Sequence, residues 1–133
     1  MTTSPAADGL PQALGHAFET FEAIRQLARR CEDQSPDLFA AFISAATAAA
    51  DGRDAILTAS TLPASTPGPG IPAQLAVSAD PRDIADSIAT SAAILATCLS
   101  QAASLAGTSG DRRACQEGAA LAKHIHDLLA PAR

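Results

Sequence analysis

Leu10, Leu14, Phe18, Phe21, Ile24, Leu27 and Cys31 recur at steps of three and four along the chain, while Glu19 and Glu22 fall between them. A helix repeats every 3.6 residues, so this spacing predicts one apolar stripe on a helix over about 10–31. Arg25, Arg29 and Arg30 crowd its C-terminal end, where cations suit the helix dipole. A second helix is predicted from Ser35-Pro36-Asp37, which offers an N-cap, a proline for the first helical position and an early acid. Its expected inner face is Leu38, Phe39, Phe42, Ile43, Ala46, Ala49, Ala50, Ile56 and Leu57, with Gly52 as the place for a kink or break.

The third start signal is the clearest. Asp80 caps, Pro81 follows and Asp83 adds an acid. Ile84, Ile88, Ser91, Leu95, Cys98, Ala102 and Leu105 then keep a seven-residue a/d spacing, and Gly107 predicts a left-handed stop. A fourth helix begins near Ser109, puts Ala114, Gly118, Leu121, Ile125 and Leu128 on one seam, and ends at Pro131. Between the second and third helices, "TLPASTPGPGIPAQLAVSA" (61–79) reads as an extended linker, with Ile71, Leu75 and Val77 able to dock.

Four stripes, two short turns and one long connection imply an all-α fold. The architecture expected is an antiparallel four-helix bundle threaded up-down-up-down, with residues 1–133 as a single domain. Alanine, about a quarter of the chain, and the absence of Trp and Tyr favour helix over strand. Phe18, Phe21, Phe39 and Phe42 all belong to the first two helices, so the third and fourth must meet through Ala, Ser and Gly. Such residues bury little area each, and a thin core of this kind suggests completion by a second copy.

Composition narrows the function classes. With 47% apolar and 17% charged residues the chain is not globally disordered. A net charge of −5 and no basic stripe interleaved with aromatics argue against nucleic acid as a partner. The N-terminal stretch MTTSPAADG lacks the positive and apolar regions of a signal peptide. Ser, Thr and Asp interrupt the apolar stretches, against a membrane span. Three cysteines, an odd number, do not form a disulfide framework. The expected setting is cytoplasmic, with no cofactor, and the expected partner is a protein or a second copy.

Candidate chemistry is sparse. No nucleophile elbow, phosphate loop or HExxH is present, and Asp51 and Asp54 read as a solvated face. His126-Asp127-Leu128-Leu129-Ala130-Pro131 resembles the phospho-accepting box of histidine kinases, which implies phosphotransfer through His126. Leu129 stands where that family carries a basic or polar residue, and Ala132 where it carries leucine. The alternative reading is the end of an amphipathic helix.

In the assumed threading, Cys31, Cys98 and Cys115 lie toward one end, and His16 and His126 reach one level. Thiolates and imidazoles suit Cu(I) or Zn, so these five are the candidate metal ligands. The layout resembles small four-helix copper-storage proteins, although those line the bundle with many cysteines at helical spacing. The same threading gathers Arg29 and Arg30 with Arg112 and Arg113. These four form a candidate anion or protein-partner site, with Glu32, Asp33 and Asp37 as possible neutralising groups. Arg112 and Arg113 occupy a helix's first turn, where the dipole disfavours cations.

Overall fold

The computed structural model describes residues 5–61 and 80–130. Helix α1 spans Pro5–Cys31, and a 3-10 turn, Pro36–Leu38, leads into α2, Phe39–Leu57. Helix α3 spans Pro81–Leu105 and α4 spans Ser109–Leu129. Helix α1 packs on α2 and α3, and α4 packs on the same two. The order around the bundle is therefore α1, α2, α4, α3.

The expected antiparallel four-helix bundle forms, but the chain threads it in another order. Beyond the end of α2, Thr61 binds Asp111 in the first turn of α4, and Gly9 of α1 faces Leu105 at the end of α3. At the opposite end Arg82 of α3 reaches Asp37 before α2, at 4.0 Å. There too, His126 of α4 meets the backbone of Ala89. The helices thus run up-down-down-up, and each packed pair is antiparallel. The segment 62–79 joins opposite ends. Eighteen residues can extend roughly 60 Å, about twice the ~28 Å length of α2. Apart from Thr61, the predicted linker and its docking residues Ile71, Leu75 and Val77 lie outside the described residues.

Local signals mostly hold at the helix starts. Asp80 accepts a hydrogen bond from the amide of Arg82 at 2.8 Å, with Pro81 at the first position. Ser35 makes no side-chain cap. Its carbonyl instead accepts from Leu38 at 3.1 Å, so the first turn is 3-10 and the α-helix begins at Phe39. Helix α1 starts earlier than expected, at Pro5, and runs through Pro11. The carbonyl that Pro11 leaves unbonded lies close to the helix start, where the loss is small. Helix α3 leaves through extended Ala106 (φ −68°, ψ 132°), not through a left-handed Gly107.

The seams of α3 and α4 depart from seven-residue spacing. The buried seam positions on α3 are Ile84, Ile88, Ala92, Leu95, Leu99 and Ala102, flanked by buried Ala85, Ala89 and Ala103, while Ser91 and Cys98 are half-buried and Leu105 is exposed. On α4 they are Asp111, Ala114, Gly118, Ala122, Ile125 and Leu129, with Leu121 and Leu128 half-buried. The buried line takes five steps over 18 residues on each helix, from Ile84 to Ala102 and from Asp111 to Leu129, which is the 3.6-residue period of a straight helix and not the 3.5 of a heptad. Leu99 and Leu129 are core for that reason.

Helix α2 corrects two further expectations. It passes through Gly52 without a break. The glycine is there because the ring of Phe21 lies where a Cβ would be, 2.5 Å away. Phe21 and Phe42 are fully buried, but Phe39, Ile43 and Leu57 are 44%, 38% and 57% exposed. Nine apolar positions span more arc than one buried face can turn inward, so these three fall outside it.

One buried group lacks a partner. Thr20 is 2% exposed and its hydroxyl makes no hydrogen bond among the described residues. An unsatisfied buried hydroxyl is costly, and valine has the same shape. Thr20→Val is expected to raise stability by about 1 kcal/mol. Urea unfolding reads this directly, and a lowered midpoint would mean that the hydroxyl is bonded in solution.

Candidate functional site

The up-down-down-up threading separates the residues that the sequence analysis grouped. Cys31 closes α1 at one end, whereas Cys98 and Cys115 lie toward the other, on α3 and α4. Cys31 and Cys115 are buried free thiols and Cys98 is a half-buried one. Burial pushes the Cys31 thiol up against the opposing pull of Arg30; burial, then the Asp111 charge, pushes Cys115 up. Such thiols hold their protons and pack as small apolar groups. His16 is exposed on α1, and His126 lies near the far end of α4, the helix diagonal to it. No set of three His, Cys, Asp or Glu side chains able to hold a metal occurs among the described residues.

Nδ1 of His126 is 3.0 Å from the carbonyl oxygen of Ala89. A carbonyl only accepts, so this bond needs the proton on Nδ1 and leaves Nε2 as the open ring nitrogen. Residues 126–129 of the kinase-like box are the last turn of α4, and Pro131 lies outside the described residues.

The four arginines divide between the two ends. Arg29 and Arg30 finish α1, and Arg29 pairs with Glu32 at 3.7 Å. Arg112 and Arg113 begin α4 at the other end, both exposed. Glu32, Asp33 and Asp37 share the end of Arg29 and Arg30, so they do not neutralise the second pair.

Two carboxylates that lock helices together replace the expected cluster. Glu22 accepts from Arg25 Nη2 at 2.6 Å, from Gln26 at 2.9 Å and, across to α2, from Arg53 at 2.8 Å. The hydrogen bond from Arg25 leads in lowering its pKa from 4.5 to about 2, against partial burial. The second is Asp111, 2% exposed. Its Oδ1 accepts from the Thr61 amide at 3.0 Å and its Oδ2 from the Thr61 hydroxyl at 2.6 Å. These bonds, the hydroxyl's first, hold it below the usual carboxylate range although burial pushes the other way. From the sequence, α4 starts near Ser109 without a cap; Thr108 supplies it, accepting from the Asp111 amide at 3.1 Å, and Thr108-x-x-Asp111 is the local signal for it. The bond from Asp111 to a residue fifty positions away has no such signal.

Besides the exposed Ile94 and Leu105 of α3, two surface features stand out among the described residues. One is the side of α2 carrying Phe39, Ile43 and Leu57. The other is a furrow along the outer seam of α3 and α4, about 540 Å³ in volume, walled by Ala96, Ser100 and Ser104 on one side and Ala119, Ala120 and Lys123 on the other. A hollow of about 320 Å³ continues it toward Arg112 and Gln116, sharing Ser100 and Ser104. The furrow exists because α3 and α4 meet through small side chains. Among the described helices, α3 alone is long and apolar enough to cross a membrane; it contributes Ile84, Ile88, Leu95 and Leu99 to the buried core.

No protein-family model, curated protein or solved structure matches this chain.

Proposed function

We propose that this protein works by association, as a homodimer first and as an adaptor for another protein second, and that it is not an enzyme. The observation that carries this reading is the apolar side of α2. Phe39, Ile43 and Leu57 share one side of the helix, and they leave 44%, 38% and 57% of their surface in water. Apolar groups of this size gathered on one face favour contact with another apolar surface.

The stripe also suits a second copy. A two-fold axis at the level of Ala48 would set Phe39 against the partner's Leu57 and Ile43 against the aliphatic stem of the partner's Arg53, with Thr47 and Ala50 close to the axis. In that register neither Asp51 nor Asp54 falls level with a carboxylate of the second copy's α2. A reducing, cytoplasmic setting belongs to the same proposal, and the three free cysteines support it.

Light scattering tests the homodimer. At high micromolar concentration the expected mass is twice the 13.4 kDa of one chain. Phe39→Ser with Ile43→Ser should return it to the single-chain mass with an unchanged helical circular dichroism spectrum. A wild-type chain that stays at the single mass overturns the homodimer.

A further inference from the structure

The furrow between α3 and α4 has a charge pattern that its own bundle does not use. Arg112 stands at one end and Lys123 at the other, eleven residues apart on α4, or roughly 16 Å along the helix. Neither forms an ion pair among the described residues, whereas Arg25, Arg29, Arg53 and Arg82 all do. Arg112 sits in the first turn of α4, where the dipole disfavours a cation, and the adjacent Asp111 is committed to Thr61. No carboxylate lines either hollow, in a chain of net charge −5. The exposed hydroxyls of Ser100 and Ser104 on the α3 wall make no hydrogen bond among the described residues. Ala96, Ala119 and Ala120 leave room for a helix backbone to come close.

We propose that this furrow docks an acidic helix of another protein, one with small side chains at the contact and carboxylates about three turns apart. Charge selects this occupant over a second copy. A two-fold axis through the middle of the furrow would bring Arg112 against the partner's Lys123, and like charges facing each other oppose association. A helix with glutamates near both ends of the furrow answers both cations and offers acceptors to the two serines. The surface is separate from the α2 stripe, so this inference stands whether or not the chain forms a homodimer.

The probe is a synthetic alanine-rich helical peptide of about 18 residues, long enough to span the furrow, carrying two glutamates eleven positions apart. Titrated into the ¹⁵N-labelled full chain, it should give saturable amide shifts confined to residues 96–104 and 112–123. Two exposed-site changes, Arg112→Glu with Lys123→Glu, should weaken binding at least fivefold and leave the circular dichroism spectrum unchanged. A peptide with lysines in place of the glutamates should bind the doubly reversed chain and not the wild type. Added salt should weaken the wild-type complex. The proposal is overturned by absence of saturable shifts, by shifts elsewhere on the bundle, or by an affinity indifferent to charge reversal. It is also overturned if the doubly reversed chain loses a dimer that the wild type forms, because the furrow would then belong to a second copy. Loss of the dimer through Phe39 and Ile43 alone would leave the peptide result untouched, so failures of the two readings are distinguishable.

Discussion

Phe21→Ala is expected to lower the stability of the fold by about 3–5 kcal/mol, a large part of the 5–15 kcal/mol typical of a domain. Phe21 is fully buried and reaches from α1 to two other helices. Its ring lies over Gly52 of α2 and within 3.8 Å of where a Cβ on Gly118 of α4 would stand. The coupling with Gly52 makes a sharper test. A glycine-to-alanine change inside a helix ordinarily adds about 1 kcal/mol. Here the new Cβ would stand 2.5 Å from two carbons of a pinned ring, so Gly52→Ala is expected to destabilise by about 1–3 kcal/mol. In the Phe21→Ala background the obstacle is gone, and the same substitution should become stabilising. Urea unfolding of the four variants closes the cycle. If Gly52→Ala stabilises the otherwise unaltered protein, the ring is not held where the structure places it. Gly118 is the instructive contrast. There the nearest atoms are the methyl ends of Leu99 and Ile56, at 2.9 and 3.2 Å, which can move aside more cheaply than a ring.

Asp111→Ala should cost about 2–3 kcal/mol, because the Thr61 amide and hydroxyl lose their charged acceptor at once. The effect should be local in origin: hydrogen exchange at the Thr61 amide is expected to accelerate before the rest of the bundle loosens. The sign of the pH dependence follows from the direction of the shift. Asp111 has a folded-state pKa below its unfolded one. Its contribution is therefore complete above the unfolded value, about 3.9, and is lost as pH falls through the folded value. Glu22 behaves the same way, and its share is lost between about 4.5 and 2. Asp111→Asn should accordingly be less stable at neutral pH and show a flatter acid limb, with the remaining slope due to Glu22. An Asp111→Asn chain as stable as the wild type at pH 7 would refute the latch.

Helix content and the starts of α3 and α4 were legible because they depend on neighbours in sequence. Asp80-Pro81-Asp83 needs no tertiary partner to begin a helix, and a run of apolar residues at steps of three and four needs none to declare a buried side. The same periodicity was less informative where it was too permissive. In α2 it admitted Phe39, Ile43 and Leu57 to the core, although a bundle helix can bury only part of its circumference. In α3 and α4 it favoured a repeat of 3.5 where straight helices impose 3.6. Leu99, Ala122 and Leu129 then replaced Cys98, Leu121 and Leu128 at the centre.

The grouping of functional candidates depended on threading, and threading is not a local property. A connection of eighteen residues permits either end of the bundle for the start of α3. The choice rests on contacts between residues far apart in sequence, such as Thr61 with Asp111 and Arg82 with Asp37. Those contacts divide the arginines and the cysteines between opposite ends and set His16 and His126 on diagonal helices. The amino-acid sequence alone determined that this chain makes four amphipathic helices, with every phenylalanine on the first two and only aliphatic and small residues along the apolar stripes of the others. Only the tertiary structure decided which ends meet, why Gly52 must be glycine, and that the small side chains of α3 and α4 leave a cation-flanked furrow, because each of these depends on distances between helices that no single helix encodes.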